Sequence, residues 1–163
     1  MQEYIYNFLS SFNLSPKAMI VFLSTLPVTE LRASIPIGIL ILGQGIKVTF
    51  FLSIIGNILP VAPIYFLLEP VSRFFSRTPR MQRFFEWLFA RAKKRAGLIE
   101  RYEAIGLMLF VGIPFPGTGV WTGCLIASLL RMRFLPTFLA ASAGVIIAAV
   151  IVTILTMLGK TTL

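Results

Sequence analysis

Residues 26–38 read LPVTELRASIPIG and interrupt an apolar stretch that runs from residue 17 to residue 46. Two prolines and a Glu–Arg pair stand where a membrane-spanning helix needs apolar residues. Proline removes a backbone donor and pushes the preceding residue out of helical geometry. Each arm beside the break has about 10–14 residues, about 15–20 Å of helix, which is too short to cross a hydrocarbon core of about 30 Å. The pattern predicts a re-entrant hairpin, which enters the bilayer and returns to the same side.

A second break has the same character. The apolar residues 105–113 are followed by Pro-Phe-Pro-Gly-Thr-Gly at 114–119 and by a second short arm that ends near residue 130. Residues 48–68 and 134–158 are long enough to cross the bilayer, and their small residues favour close helix packing.

Shorter signals mark where individual helices begin and bend. Ser15-Pro16 is typical of an N-cap followed by proline at the first helical position. Pro60 and Pro63 are expected to kink the first long span.

The two halves of the chain share one order of features: a short arm, a proline-rich break, a second arm, a polar turn and a long span. Pro27 corresponds to Pro114, and Gly56 corresponds to Gly144 within one residue. Broken segments at matching positions predict a transporter built from inverted repeats, with its site near the bilayer midplane. The alternative is four plain helices with scattered prolines.

The whole chain is expected to be a single membrane domain. The first repeat occupies residues 1–71 and includes a short N-terminal interfacial helix, a basic linker helix occupies 72–104, and the second repeat occupies 105–163.

Composition excludes several classes of protein. The 163 residues are 57% hydrophobic and 13% charged, against about 25% charged in soluble domains. The chain has no His, no Asp and one Cys. Catalytic triads with His or Asp, His-based metal sites and two-Cys redox centres are therefore excluded, and neither a cofactor nor enzymatic activity is expected.

Charge placement suggests an orientation. Residues 72–104 contain nine Lys and Arg against three Glu, and this excess predicts a cytoplasmic segment that lies on anionic lipid. Binding to nucleic acid is not expected in so apolar a chain. Charge does not choose between hairpins and four full spans, because each arrangement puts the same number of basic residues inside.

The first break carries the residues best suited to chemistry. Glu30 and Arg32 are charges within an apolar segment, where each is costly and by default indicates function. Thr29 is expected to cap the second arm, which would place Glu30 and Arg32 at its first and third positions. Free helix amides and the Arg32 fork suit an anion, and Glu30 suits proton exchange. Alternatively, the pair only pins the hairpin.

The second break supplies a matching half of the predicted site. Gly117 and Gly119 allow a ligand to approach the backbone closely, Thr118 is expected to cap the following arm, and Trp121 is expected to stack on the site or close it. The alternative is a kinked helix with an interfacial tryptophan. Cys124 is expected to be inert packing.

The segments 26–38 and 114–123 (PFPGTGVWTG) together resemble the bacterial and archaeal family of small multidrug export proteins, which is similar in plan to the DedA/VTT superfamily. The resemblance implies a prokaryotic cell membrane, inverted repeats of hairpin plus span, and proton-coupled movement of polyprenyl-phosphate or other lipids. It matches the acidic and basic positions of the first hairpin to Glu30 and Arg32. The superfamily places arginines in the second hairpin. This chain has none there, and Arg131 and Arg133 stand at the edge of that hairpin.

We therefore expect an all-α, multi-pass membrane transporter whose site lies where the two hairpin tips meet. It would couple protons to movement of a lipid-like or amphipathic substrate, with phosphate-bearing substrates among the candidates, and would work as a homodimer or a larger assembly in contact with membrane lipids. Two alternatives stay open: a proton-coupled exporter of cationic drugs, and a membrane scaffold that transports nothing.

Overall fold

A computed structural model describes residues 14–67, 90, 97–115 and 117–161 of the chain. Every regular element in these ranges is a helix, which agrees with the all-α prediction. The described residues form two compact units: one contains those up to Leu59 together with those from Val145 onward, and the other lies between Pro60 and Gly144. The predicted N-terminal interfacial helix and most of the basic linker, residues 72–89 and 91–96, lie outside the described residues.

The first apolar stretch is interrupted as the sequence predicts. Helix α1, Pro16–Thr25, begins with Ser15 as its N-cap, whose hydroxyl accepts from the Ala18 N–H at 3.3 Å. A turn occupies residues 26–29, and helix α2, Glu30–Pro36, follows it.

Pro36 does not end the second arm. A π-helical segment, Ile37–Ile41, follows it directly, and the Leu42 N–H donates to the Ile37 carbonyl over 2.9 Å. Proline supplies no N–H and crowds the carbonyl four residues earlier, and one wider turn accommodates both effects without ending the helix.

The first long span is present and is interrupted near Pro60. Helix α3 covers Ile46–Ile58, a turn follows at 59–60, and residues 61–67 are helical again. The stretch Ile46–Leu67 has 22 residues, is predominantly apolar, and corresponds to about 33 Å at the rise of a helix.

The polarity of α3 is the reverse of that of a soluble helix. Its large apolar side chains are exposed, for example Phe51 at 62% and Ile55 at 55%, whereas Thr49, Ser53 and Asn57 are buried. Positions 49, 53 and 57 are spaced by four and lie on one helix face. An apolar exterior around a polar, small-residue interior is typical of helices that contact lipid.

Residues 97–161 repeat the order of short arm, break and long helix. Helix α4, Gly97–Gly112, is kinked at Glu103, whose backbone has φ 45° and ψ −117°. The second break separates it from helix α5, Val120–Leu129. Helix α6, Phe134–Thr161, has 28 residues, about 42 Å, and it carries the predicted second span.

Equivalent glycines make the same close contact in the two halves. A methyl group at Gly56 would lie 2.5 Å from the Val21 carbonyl oxygen, and one at Gly144 would lie 2.6 Å from the Met108 carbonyl oxygen. The spacing between Val21 and Met108 equals that between Pro27 and Pro114. The spacing between the two glycines is one residue longer. A repeated packing contact, made within each unit, therefore accompanies the repeated order of sequence features.

Candidate functional site

Glu30 is a buried acid at the start of α2. Its residue exposure is 6%, and its Oε2 lies 3.9 Å from Nε of Arg32, whose side chain is 21% exposed. The sequence placed Glu30 at the first and Arg32 at the third position of this arm, and the helix begins accordingly. The Glu30 backbone has φ 46°, a left-handed value that is uncommon for a residue with a side chain and is concentrated at functional sites.

Thr29 occupies the N-cap position of α2, but the prediction that its side chain caps the helix is wrong. Its backbone has φ −89° and ψ −48°, whereas a capping side chain needs the extended backbone that lets its oxygen reach the second or third amide. The Thr29 hydroxyl instead donates to the Leu23 carbonyl oxygen. It therefore joins the turn to the last residues of α1.

A chain of three buried serines lies one turn from Glu30. The Ser24 and Ser34 hydroxyl oxygens are 2.6 Å apart, those of Ser34 and Ser53 are 2.8 Å apart, and all three residues have 0% exposure. The Ser24 hydroxyl donates to the Ile20 carbonyl over 2.7 Å. Since each hydroxyl has one proton, Ser34 must donate to Ser24 and Ser53 to Ser34. The three helices α1, α2 and α3 are thus linked at one level by a chain with a defined direction.

Sequence reasoning missed this polar interior. It treated Ser53 only as a small residue that permits close packing, and it assigned no role to Ser24, Ser34 or Asn57. The available signal was the spacing of Thr49, Ser53 and Asn57 by four in an otherwise apolar span, which puts three polar groups on one helix face.

The second break has a different local structure from the one predicted. Thr118 does not cap α5: the N-cap is Gly119, and no side chain caps the helix. The Thr118 hydroxyl lies 2.7 Å from the Ile113 carbonyl oxygen and 2.8 Å from that of Phe115. Because Thr118 precedes the N-cap by one residue, its side chain reaches back into the break and provides a donor for carbonyls there.

The remaining residues of the predicted second half have distinct positions. Gly117 has φ 83°, a conformation that favours glycine, and Gly119 is buried. Trp121 is the second residue of α5 and is half-buried, while Cys124 is fully buried, as expected for packing.

The structure brings Thr29, Glu30 and Arg32 together in the first unit, and it places Gly117–Trp121 in the second. That the two groups meet at one site stays a prediction. Among the described residues no cluster of three His, Cys, Asp or Glu side chains is present.

Comparison with known proteins identifies a family. A family model described as "Putative small multi-drug export protein" matches residues 30–151, about three quarters of the chain. No curated protein and no solved structure matches the chain. The match begins at Glu30 and includes the second arm beside each break, the first long span, and α6 as far as residue 151. The chain belongs to this family and, with its two long apolar helices, is a membrane protein.

Proposed function

We propose that this member of the small multi-drug export family is a proton-coupled transporter that moves an amphipathic, lipid-like substrate across the cell membrane. Glu30 exchanges the coupling proton, and Arg32 contacts the polar part of the substrate, for which phosphate is one candidate. The observation that carries the proposal is the buried Glu30–Arg32 pair at an interrupted helix inside an apolar chain. A charge at that depth is costly and is by default functional.

The proposed architecture is two re-entrant hairpins, each followed by a span, as in the DedA plan. The support is the length of the arms and the packing between them. Helix α1 has ten residues, about 15 Å, and the Ser24–Ser34 bond joins it to α2 across a four-residue turn. The repeated contact of Gly56 and Gly144 supports a common origin of the two halves. Residues 72–104 are proposed to be cytoplasmic, and the active form is proposed to be a homodimer or larger.

Flux in liposomes tests the proposed roles of the pair. An NBD-labelled phosphatidylglycerol reports lipid movement by its accessibility to dithionite, and trapped pyranine reports protons. Arg32→Ala should slow lipid movement about 10–100-fold, the worth of one hydrogen bond to a charged group. Glu30→Gln should abolish the dependence on the pH gradient. Glu103→Gln is the matched control, because Glu103 is exposed and has a similar backbone, φ 45°.

Export of cationic compounds is the second candidate, and the family description together with the deeper burial of Glu30 favours it. Ethidium efflux from the same liposomes separates the two. If the substrate is a cation, Glu30→Gln stops efflux and Arg32→Ala does not, whereas an anionic substrate requires Arg32 more. Rates equal to those of protein-free liposomes for both probes would refute transport and favour a scaffold.

Side-specific labelling tests the hairpins. Lys17 and Arg133 are exposed, and each is replaced by cysteine in a Cys124→Ser background that removes the buried thiol. Hairpins predict that position 17 is labelled from outside the cell and position 133 from inside. Four full spans predict the opposite, and that result would overturn the proposed architecture.

A further inference from the structure

Two contacts establish how α2 and α3 run against each other. The Ser34 and Ser53 hydroxyls are bonded, and a methyl group at Gly38 would lie 2.5 Å from Cγ2 of Thr49. Gly38 lies in the π-helical segment that continues α2, so four residues forward along this arm correspond to four residues back in α3. The helices are antiparallel, and positions one turn apart on each remain level with each other.

Continuing this register by one turn in the other direction brings Asn57 level with Glu30. Asn57 is 1% exposed, and its Nδ2 has no hydrogen-bond partner in the part of the chain that the structure describes. A carboxamide can donate to a carboxylate and can also accept from a protonated carboxylic acid. Asn57 is thus chemically suited to both states of a proton-exchanging Glu30.

We propose that Asn57 belongs to the Glu30 site, where its carboxamide hydrogen-bonds to the Glu30 carboxyl group across the α2–α3 interface and sets the pH at which that group exchanges its proton. The role of this bond in transport rests on the proposed function, whereas its existence does not.

The second half of the chain shows that packing does not require a polar residue here. Asn57 follows Gly56, and the residue that follows the equivalent Gly144 is Val145, which is 0% exposed. An apolar side chain therefore fills the corresponding buried position. A buried amide without a partner is destabilising, so asparagine at position 57 is better explained by chemistry than by packing.

Few other charged groups are placed to influence Glu30. Arg32 on its own helix is 3.9 Å away. The only titratable residues of α1 and α3 are Lys17 and Lys47, which are exposed in the first turns of these helices, and the described residues from Val145 onward contribute only Lys160, also exposed. Lys47 is ten residues from Asn57, about 15 Å along α3. Within these described elements, Arg32 is the charged residue close to Glu30, and Asn57 is the buried amide proposed to act together with it.

Infrared spectroscopy of the whole protein in lipid tests the bond. The Glu30 carboxylic acid stretch is assigned as the band lost in Glu30→Gln and is followed as a function of pH. Asn57→Val introduces the residue of the second half and removes the donor to the carboxylate. We expect the protonation midpoint to rise by about one pH unit, a tenfold change in proton affinity, and the stretch to move to higher frequency.

Two further variants keep the test specific. Asn57→Thr has the shape of valine with a hydroxyl restored, and it should return both readings toward those of the unmodified protein. Thr49→Val removes the other buried, unbonded polar group of α3, two turns from Asn57, and should change neither. The proposal is overturned if Asn57→Val leaves the protonation midpoint of Glu30 unchanged, or if the Glu30 band does not titrate in any variant. It is also overturned if Thr49→Val shifts the midpoint as much as Asn57→Val does.

Failure of this inference and failure of the proposed function are distinguishable. The band reports on Glu30 whether or not the protein transports anything, so loss of the transport hypothesis leaves the Asn57 result valid. If flux depends on Glu30 while Asn57→Val leaves both the band and the pH profile of flux unchanged, the transport hypothesis survives and the role of Asn57 is refuted.

Discussion

Gly56→Ala is expected to destabilise the protein, because α1 leaves no space for a methyl group. The added carbon would lie 2.5 Å from the Val21 carbonyl oxygen and 2.7 Å from Cβ of Ser24. These atoms belong to the backbone or are one bond from it, so relief requires a shift of the helix. Over-packing costs about 1–3 kcal/mol, and alanine recovers up to about 1 kcal/mol of helix propensity. The net loss is about 1–2 kcal/mol.

For a chain of this size, that loss lowers the melting temperature by about 2–8 °C. Tryptophan fluorescence of the detergent-purified protein during heating measures it. Gly144→Ala should melt similarly low, because its methyl would lie 2.6 Å from the Met108 carbonyl oxygen. Gly159→Ala is the control, since no atom lies within 4 Å of the added carbon. If Gly56→Ala melts as high as Gly159→Ala, the close helix approach described for both halves is refuted.

The same melting assay checks three further changes. Ser34→Ala removes the middle hydroxyl of the serine chain and should cost about 1–3 kcal/mol, because Ser53 is left without its acceptor; an unchanged melting temperature would show that the chain contributes nothing. Gly117→Ala places a side chain at φ 83° and should lower the free energy of unfolding by about 1–2 kcal/mol. Gly45→Ala is the control and should not lower it, because Gly45 has φ −59° and no atom lies within 4 Å of the new carbon. Equal effects of the two changes would refute the conformational argument. Thr118→Val keeps the shape but loses the donor to two carbonyls of the break, at about 1 kcal/mol, and a variant as stable as the parent would contradict that role.

The two halves of the chain differ most in the polarity of their interiors. In the first half Ser24 is bonded to Ser34, whereas in the second Gly123 lies against Val111, and a methyl there would be 2.8 Å from Cγ2 of that valine. At the spacing that relates the two halves, Val111 and Ala141 replace Ser24 and Ser53, whereas the buried Thr49 corresponds to the buried Thr137. This difference is the reason for locating the proton-exchanging part of the proposed site in the first half.

Several features were predictable from the printed residues because they follow from local backbone chemistry. Ser15 is the N-cap of α1, because the proline that follows it has a helical φ and needs no partner for a backbone N–H. Both breaks occur where prolines and glycines accumulate, and both long helices occur where about twenty apolar residues run on. Each of these outcomes depends on neighbours within a few positions.

The polar interior was not predictable in this way, because it depends on which helices lie against each other. Ser34 bonds to residues 10 and 19 positions away, and no local pattern specifies such partners. Thr29 and Thr118 likewise had the composition of helix caps, but the backbone angles and the exact starts of the helices gave their hydroxyls other acceptors. Local covalent chemistry thus determines where helices begin, break and end, whereas the burial of Glu30 and of Asn57 depends on how the helices pack against each other.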